Sequence, residues 1–146
     1  MTRAKIDELA RYPFKTELVV RVYDLNYGGH LGYDRVLSLI HQARVELFAS
    51  FGATETDLGD GATGIVAADV VVQYRGEAFL NDVLEVEICP VEVGMVSFRL
   101  SHRITQKKTG KTVALAEVGF VAFDYTRRKP CRLLEAFARQ LNNLNK

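Results

Sequence analysis

Residues 17–52 read ELVVRVYDLNYGGHLGYDRVLSLIHQARVELFASFG, and three kinds of local structure follow one another within them. Val and Leu dominate residues 18–23, the composition of a strand. Asn26-Tyr27-Gly28-Gly29-His30 is turn chemistry, with glycines where the backbone must bend sharply. Beyond it Val36, Leu37, Leu39, Ile40, Ala43, Leu47 and Phe48 recur at three- and four-residue spacing, which places them on one broad stripe of a helix. The pattern predicts a helix over residues 32–50, stopped by Gly52 in a left-handed cap. A stripe that wide belongs in a core. Backbone N–H groups around Gly32 and Tyr33, unpaired because they open the helix, converge there with the side chains of Asn26, His30 and Asp34. Such a place suits a carbonyl oxygen or an anion.

The remainder of the chain supplies what the helix packs against. Residues 6–10 have the spacing for one or two helical turns, which Pro13 ends. The first strand spans 15–23, and residues 53–63 form a polar connection. Four more strands follow in series at 64–74, 82–93, 95–106 and 112–125. Lys107-Lys108-Thr109-Gly110-Lys111 is a hairpin turn with Gly110 at positive φ. Pro90 requires an edge position or a bulge within its strand. Residues 133–144 carry helical spacing again. Strands joined by short connections make an antiparallel sheet, and five twisted strands need an apolar partner on one face. Only the long helix is large enough, so the fold expected is α+β, a five-stranded antiparallel sheet wrapped around one helix.

Length and composition bound the function. A chain of 146 residues fits one domain, 1–146, with a single core. A formal net charge of +1 gives no footprint for nucleic acid or an anionic membrane, so ligand charge must be met locally. The opening residues MTRAKIDELARYPF lack the apolar block of a secretory signal, which leads to the expectation of a cytoplasmic protein. Cys89 and Cys131 read as free thiols. His30, His41 and His102 stand in unrelated contexts, so neither a metal site nor a cofactor is expected.

Asp24-Leu25-Asn26-Tyr27-Gly28-Gly29-His30, a helix containing Ile40-His41-Gln42-Ala43-Arg44, and Tyr74-Arg75-Gly76 running to Asp82 resemble the hotdog-fold acyl-CoA thioesterases of the hydroxybenzoyl-CoA thioesterase type, over roughly residues 18–124. The resemblance implies a hotdog homodimer or homotetramer with its active site at the subunit interface. It also implies an acyl-CoA substrate in which coenzyme A is part of the molecule turned over. Tyr27, Gly28 and Gly29 would line that substrate, and the backbone at Gly32 and Tyr33 would polarise the thioester carbonyl. In that family the turn commonly reads Asp-x-Asp, and the second Asp is the nucleophile or general base. Here Asn26 stands at its place. An amide takes up no proton near neutral pH, although it holds a water or a carbonyl by hydrogen bonds.

Asp34, eight residues on and inside the first turn of the helix, is the nearest replacement by sequence, and His30 is the other titratable group of the turn. Each has a structural reading as well: Asp34 as a helix cap, His30 as a tie for the loop, Asn26 as an Asx turn. Arg44 falls inside the apolar stripe and must be paired, with Asp24 the first partner expected. His41 and Ser38 lie on the opposite side of the helix, and Gln42 stands where relatives often carry Glu. Lys107, Lys108 and Lys111, with residues 127–129, read as solvated basic turns. The function expected is hydrolysis of an acyl-CoA thioester. Its rivals are a hotdog enoyl hydratase or dehydratase and a non-catalytic acyl-CoA or acyl-carrier-protein binding module, and thiol release from acyl-CoAs separates the three.

Overall fold

The structure, a computed structural model describing residues 1–146, consists of β1 (Phe14–Val19), α1 (Arg35–Ser50), β2 (Thr63–Tyr74), β3 (Val83–Val91), β4 (Ser97–Gln106), β5 (Thr112–Asp124), β6 (Lys129–Pro130) and α2 (Glu135–Leu144). All strands lie in one antiparallel sheet of order β1-β3-β4-β5-β2, with the two-residue β6 added to the end of β5. Inward-facing Phe98, Leu100, Ile104, Leu84, Val86 and Ile88 alternate with outward-facing Arg99, Arg103, Glu85 and Glu87, the two-residue period of a sheet packed on one face. Against that face lies α1, burying Val36, Leu39, Ile40, Ala43, Leu47 and Phe48. The α+β arrangement expected from the pattern, and the hotdog fold that the resemblance implies, are therefore present. Leu37 departs from the stripe and is exposed. Gly52 at φ +74° ends α1 as the sequence predicts, its N–H bonding Ala49 O while Ala53 N–H reaches Phe48 O. No helix is long and apolar enough to cross a membrane.

Four local expectations need correction or refinement. Residues 6–10 form no helix; a segment this short is marginal alone, and it lies extended along the outer face of the sheet. There Ala4 O accepts from Gln73 Nε2 (3.3 Å), and Glu8 meets Arg103 (3.4 Å). β1 stops at Val19, because Val22–Asp24 winds into a 3-10 turn. β2 and β3 are not a hairpin: residues 75–82 cross from the β2 edge to β3, between β1 and β4 on the other side of the sheet, passing under the turn that precedes α1. The crossing is pinned by Leu31 N–H to Ala78 O (2.8 Å) and by Val20 to Asp82 O and Asn81 to Val20 O (2.9 Å each). Pro90 sits where an edge exists, since the pairing of β1 with β3 stops at Ile88. Its carbonyl on that open side accepts from Asn145 Nδ2 at 2.9 Å, so the N–H a proline lacks has no ladder partner to serve.

His102 on β4 points into the core beneath Arg44 and is wholly buried. Neither ring nitrogen has a partner in hydrogen-bonding geometry. Burial pushes its pKa down to about 3; the carbonyls of Ala116 and Leu100 oppose the shift, and the Arg44 charge adds to it. The unfolded chain, with an ordinary imidazole, takes up a proton below about pH 6.5 that the folded chain refuses. This histidine's stabilising effect is thus fully present above that pH and is lost as pH falls toward 3. Urea titrations at pH 7.5 and 4.5 should show a loss of stability to which His102 contributes up to about 3 kcal/mol. His102→Leu should shrink that loss, and an unchanged difference would contradict the assignment.

Candidate active site

Asp24 organises the turn. It is buried, and its Oδ2 accepts the N–H of Arg21 at 2.8 Å while Oδ1 meets Arg35 Nε at 3.2 Å. Its main-chain oxygen accepts the N–H of Gly32 at 2.9 Å. One residue thereby ties the end of the first strand to the start of the helix, and the Arg35 guanidinium lies over the Tyr23 ring at 5.5 Å.

Within the loop Asn26 forms an Asx turn. Its Oδ1 accepts from the N–H groups of Gly28 (3.0 Å) and His30 (3.3 Å), and its backbone N–H bonds His30 O at 2.8 Å. Gly29 adopts φ +83°, which a side chain would strain. Both acceptor bonds are spent on loop closure, so only Nδ2 of Asn26 remains, 3.5 Å from His30 Nδ1. His30 Nδ1 also lies 3.2 Å from Leu31 O, and its Nε2 is 3.8 Å from Glu77 Oε1 on the crossing segment. A protonated Nδ1 serves the Leu31 carbonyl and a bare one accepts from Asn26, so the ring does one or the other. Tyr27 stands fully exposed at the loop tip.

α1 begins at Arg35, three residues later than the spacing predicts. The reason lies in the preceding bonds: Gly32 N–H is held by Asp24 O, and Arg35 N–H by Gly32 O at 3.0 Å. The Gly32 amide is therefore committed within the chain and is not a donor for a ligand, a correction to the sequence expectation. The N–H groups of Tyr33, Asp34, Val36 and Leu37 have no acceptor in the chain. Asp34 occupies the N-cap position with helical angles (φ −71°, ψ −30°) and makes no capping bond. Its carboxylate is exposed and engaged by no hydrogen bond, so capping does not explain it. A Cβ added at Gly32 would lie 2.7 Å from Asp34 Oδ1 and 3.6 Å from Asn26 Cβ; the absent side chain lets loop and helix start flank one spot.

Two groups at this rim come from elsewhere in the chain. Tyr74, at the end of β2, donates its hydroxyl to Tyr33 O at 2.8 Å, and the two rings meet edge to face at 6.5 Å. Glu77 arrives on the crossing segment. Nothing in local sequence signals either, because sheet topology rather than spacing brings them to the turn.

Arg44 pairs with Glu55, not with Asp24, and its guanidinium lies 4.7 Å from the Phe120 ring centre. His41 Nε2 reaches the other oxygen of Glu55 at 2.9 Å. Burial alone would raise the Glu55 pKa, but Arg44 and His41 outweigh it and hold the carboxyl below its usual range. These residues secure the 53–62 connection against α1. Gln42 bonds Glu46 at 3.1 Å.

The model of the thioesterase-like superfamily matches residues 20–141. No curated protein matches the chain. Among solved structures, a probable thioesterase from Escherichia coli is 25% identical, with a TM-score of 0.72, over 90% of this chain and 98% of that one. A 1,4-dihydroxy-2-naphthoyl-CoA thioesterase from Synechocystis is 18% identical, with a TM-score of 0.81, over 91% and 98%. A hypothetical protein from Staphylococcus aureus, solved in complex with CoA, is 17% identical, with a TM-score of 0.81, over 98% and 87%.

If Asp24 holds the turn as described, Asp24→Ala leaves the Arg21 N–H and the Arg35 guanidinium without their acceptor. Unfolding in urea should show a loss of ~1–3 kcal/mol. A loss below about 0.5 kcal/mol, the range of ordinary surface substitutions, would show that the turn closes without it.

Proposed function

This chain belongs to the thioesterase-like superfamily, and from that premise we propose that it hydrolyses an acyl-CoA thioester to the free acid and coenzyme A. The observation that carries this reading is a carboxylate bound to nothing, Asp34, beside amides with no acceptor at the start of the buried helix. Water held by Asp34 loses a proton to it as the oxygen attacks the thioester carbonyl carbon. The N–H groups of Tyr33 and Asp34 stabilise the negative charge that develops on the carbonyl oxygen. When the tetrahedral intermediate collapses, the C–S bond breaks and the leaving thiolate takes the proton back from Asp34. Asn26 and His30 shape the loop against which the acyl group rests, and the remaining N–H of Asn26 is a donor to water or substrate.

The role of base is given to Asp34 rather than His30 because Asp34 stands at the helix start beside the acceptor-free amides, whereas the His30 ring faces Leu31 O and Glu77. Replacement of the family acid by Asn26 favours one competing reading, a binding module that retained the pocket without chemistry. Thiol release separates the two: acyl-CoAs that bind but release no thiol would establish the binding module.

The same reading makes the protein a homodimer or homotetramer working in the cytoplasm. β2 is a sheet edge of 12 residues, and exposed Val70, Tyr74, Phe79 and Leu80 accompany it. Such an edge is an invitation to pair with a second copy. The two cysteines are unpaired thiols, which suits a reducing compartment.

Asp34→Asn should lower kcat for thioester hydrolysis by about 100-fold or more while the melting temperature holds. His30→Ala should stay within a few-fold; the reverse pattern would exchange the two roles. Sedimentation at low micromolar concentration should show a species heavier than the 16.4 kDa chain, and a monomer alone would remove the shared site.

A further inference from the structure

We propose that Tyr74 is a positioning residue for this hydrolysis, its hydroxyl holding the Tyr33–Asp34 peptide in the orientation that keeps the helix start open to substrate. The proposal rests on the thioesterase reading given above.

In a regular helix the carbonyl of Tyr33 would accept the N–H of Leu37, four residues on. It does not: Leu37 N–H is unpaired, and Tyr33 O is taken instead by Tyr74 Oη at 2.8 Å. Tyr74 thus engages the carbonyl that a further turn would use, at the helix start that the Asp24–Gly32 and Gly32–Arg35 bonds set. Held with it is the orientation of one peptide plane. No peptide bond in the chain is cis, so the carbonyl of Tyr33 and the N–H of Asp34 lie on opposite edges of the same rigid plane. Fixing the carbonyl from behind aims the N–H away from Tyr74. A hydrogen bond accepted by that carbonyl also polarises the amide and strengthens the N–H as a donor.

The hydroxyl is delivered from a firm support. Tyr74 pairs with Ala114 of β5, and the next two residues, Arg75 and Gly76, donate to Val113 O at 2.9 and 3.1 Å. Its ring meets the edge of Tyr33, so both the carbonyl and the side chain of that residue are held. Burial, then Tyr33, then the Asp34 carboxylate keep the phenol above its ordinary pKa, which leaves it protonated, and therefore a donor, throughout the neutral range. A tyrosine at the half-exposed end of an edge strand could satisfy its hydroxyl with water alone. Here it reaches across 41 residues of sequence to a main-chain oxygen beside the unengaged carboxylate.

Tyr74→Phe removes the hydroxyl and keeps the ring contact. For a panel of acyl-CoAs its kcat should fall ~10-fold, less than the 10²–10³ of deleting an oxyanion donor outright. KM should stay within about twofold and the melting temperature should hold. Amide hydrogen exchange supplies a readout independent of turnover: Leu37 N–H, free to bond Tyr33 O in the variant, should become protected. Wild-type kcat in Tyr74→Phe, or a loss confined to KM, would overturn the proposal, as would unchanged Leu37 exchange. Should the wild-type protein release no thiol, the thioesterase reading fails by itself, and the exchange measurement still decides whether Tyr74 holds the helix open.

Discussion

A buried carboxylate has to be paired on every side, and in this chain that requirement falls on Asp24. Its side chain binds Arg21 N–H and Arg35, and its carbonyl binds Gly32 N–H. Because these contacts join the 3-10 turn to both Gly32 and Arg35, they set where the loop closes and where α1 may begin. Burial of one apolar stripe holds the helix inside the sheet, but the stripe alone would permit a start several residues earlier. The postponement leaves a run of amides without acceptors and keeps Asp34 outside the helix proper with its carboxylate free.

The sheet topology completes what Asp24 begins. By sending β2 to one edge and returning to β3 at the other side, the chain is forced to cross beneath the turn through residues 75–82. That crossing presents Ala78 O to Leu31 and places Glu77 near His30, while the strand end just before it brings Tyr74 to Tyr33 O. The candidate site is therefore made of one local turn and one distant strand end. Its donors and its carboxylate come from the turn; their orientation comes from the strand.

This division decides how much was legible in the sequence. The period-3.6 stripe of α1 and the alternation in the strands identify the elements, because burial on one face imposes a pattern on consecutive residues. Gly52 and Gly110 mark their positive-φ positions for the same local reason. Asn26, His30 and Asp34 stand out as a group because a strand, a turn and a helix meet within a dozen residues. Pairings between distant residues leave no such trace: Arg44 looked for Asp24 and found Glu55, since the 53–62 connection folds back on the helix in a way no spacing encodes. Nor does the partner of the Gly32 amide leave a trace: the main-chain oxygen of Asp24 is a group that every residue has, and so carries no sequence signal. Tyr74 was visible only as part of a family-like stretch, without a role.

The departure at Asn26 then acquires a physical meaning. The amide does what a carboxylate could also do at that position, accepting from Gly28 and His30 N–H, so the loop geometry survives the exchange while the proton acceptor does not. Asp34, across the space left by Gly32, is the carboxylate that we propose in its stead. The central claim is that the base has moved from the loop to the helix start, and restoring it to the loop tests this most directly. The measurement is kcat for acyl-CoA hydrolysis in Asp34→Asn with and without Asn26→Asp. If the account is right, the single variant is nearly inactive and the second substitution recovers at least tenfold of the lost rate. An Asp34→Asn enzyme as fast as the wild type, unaffected by a carboxylate at position 26, would contradict it.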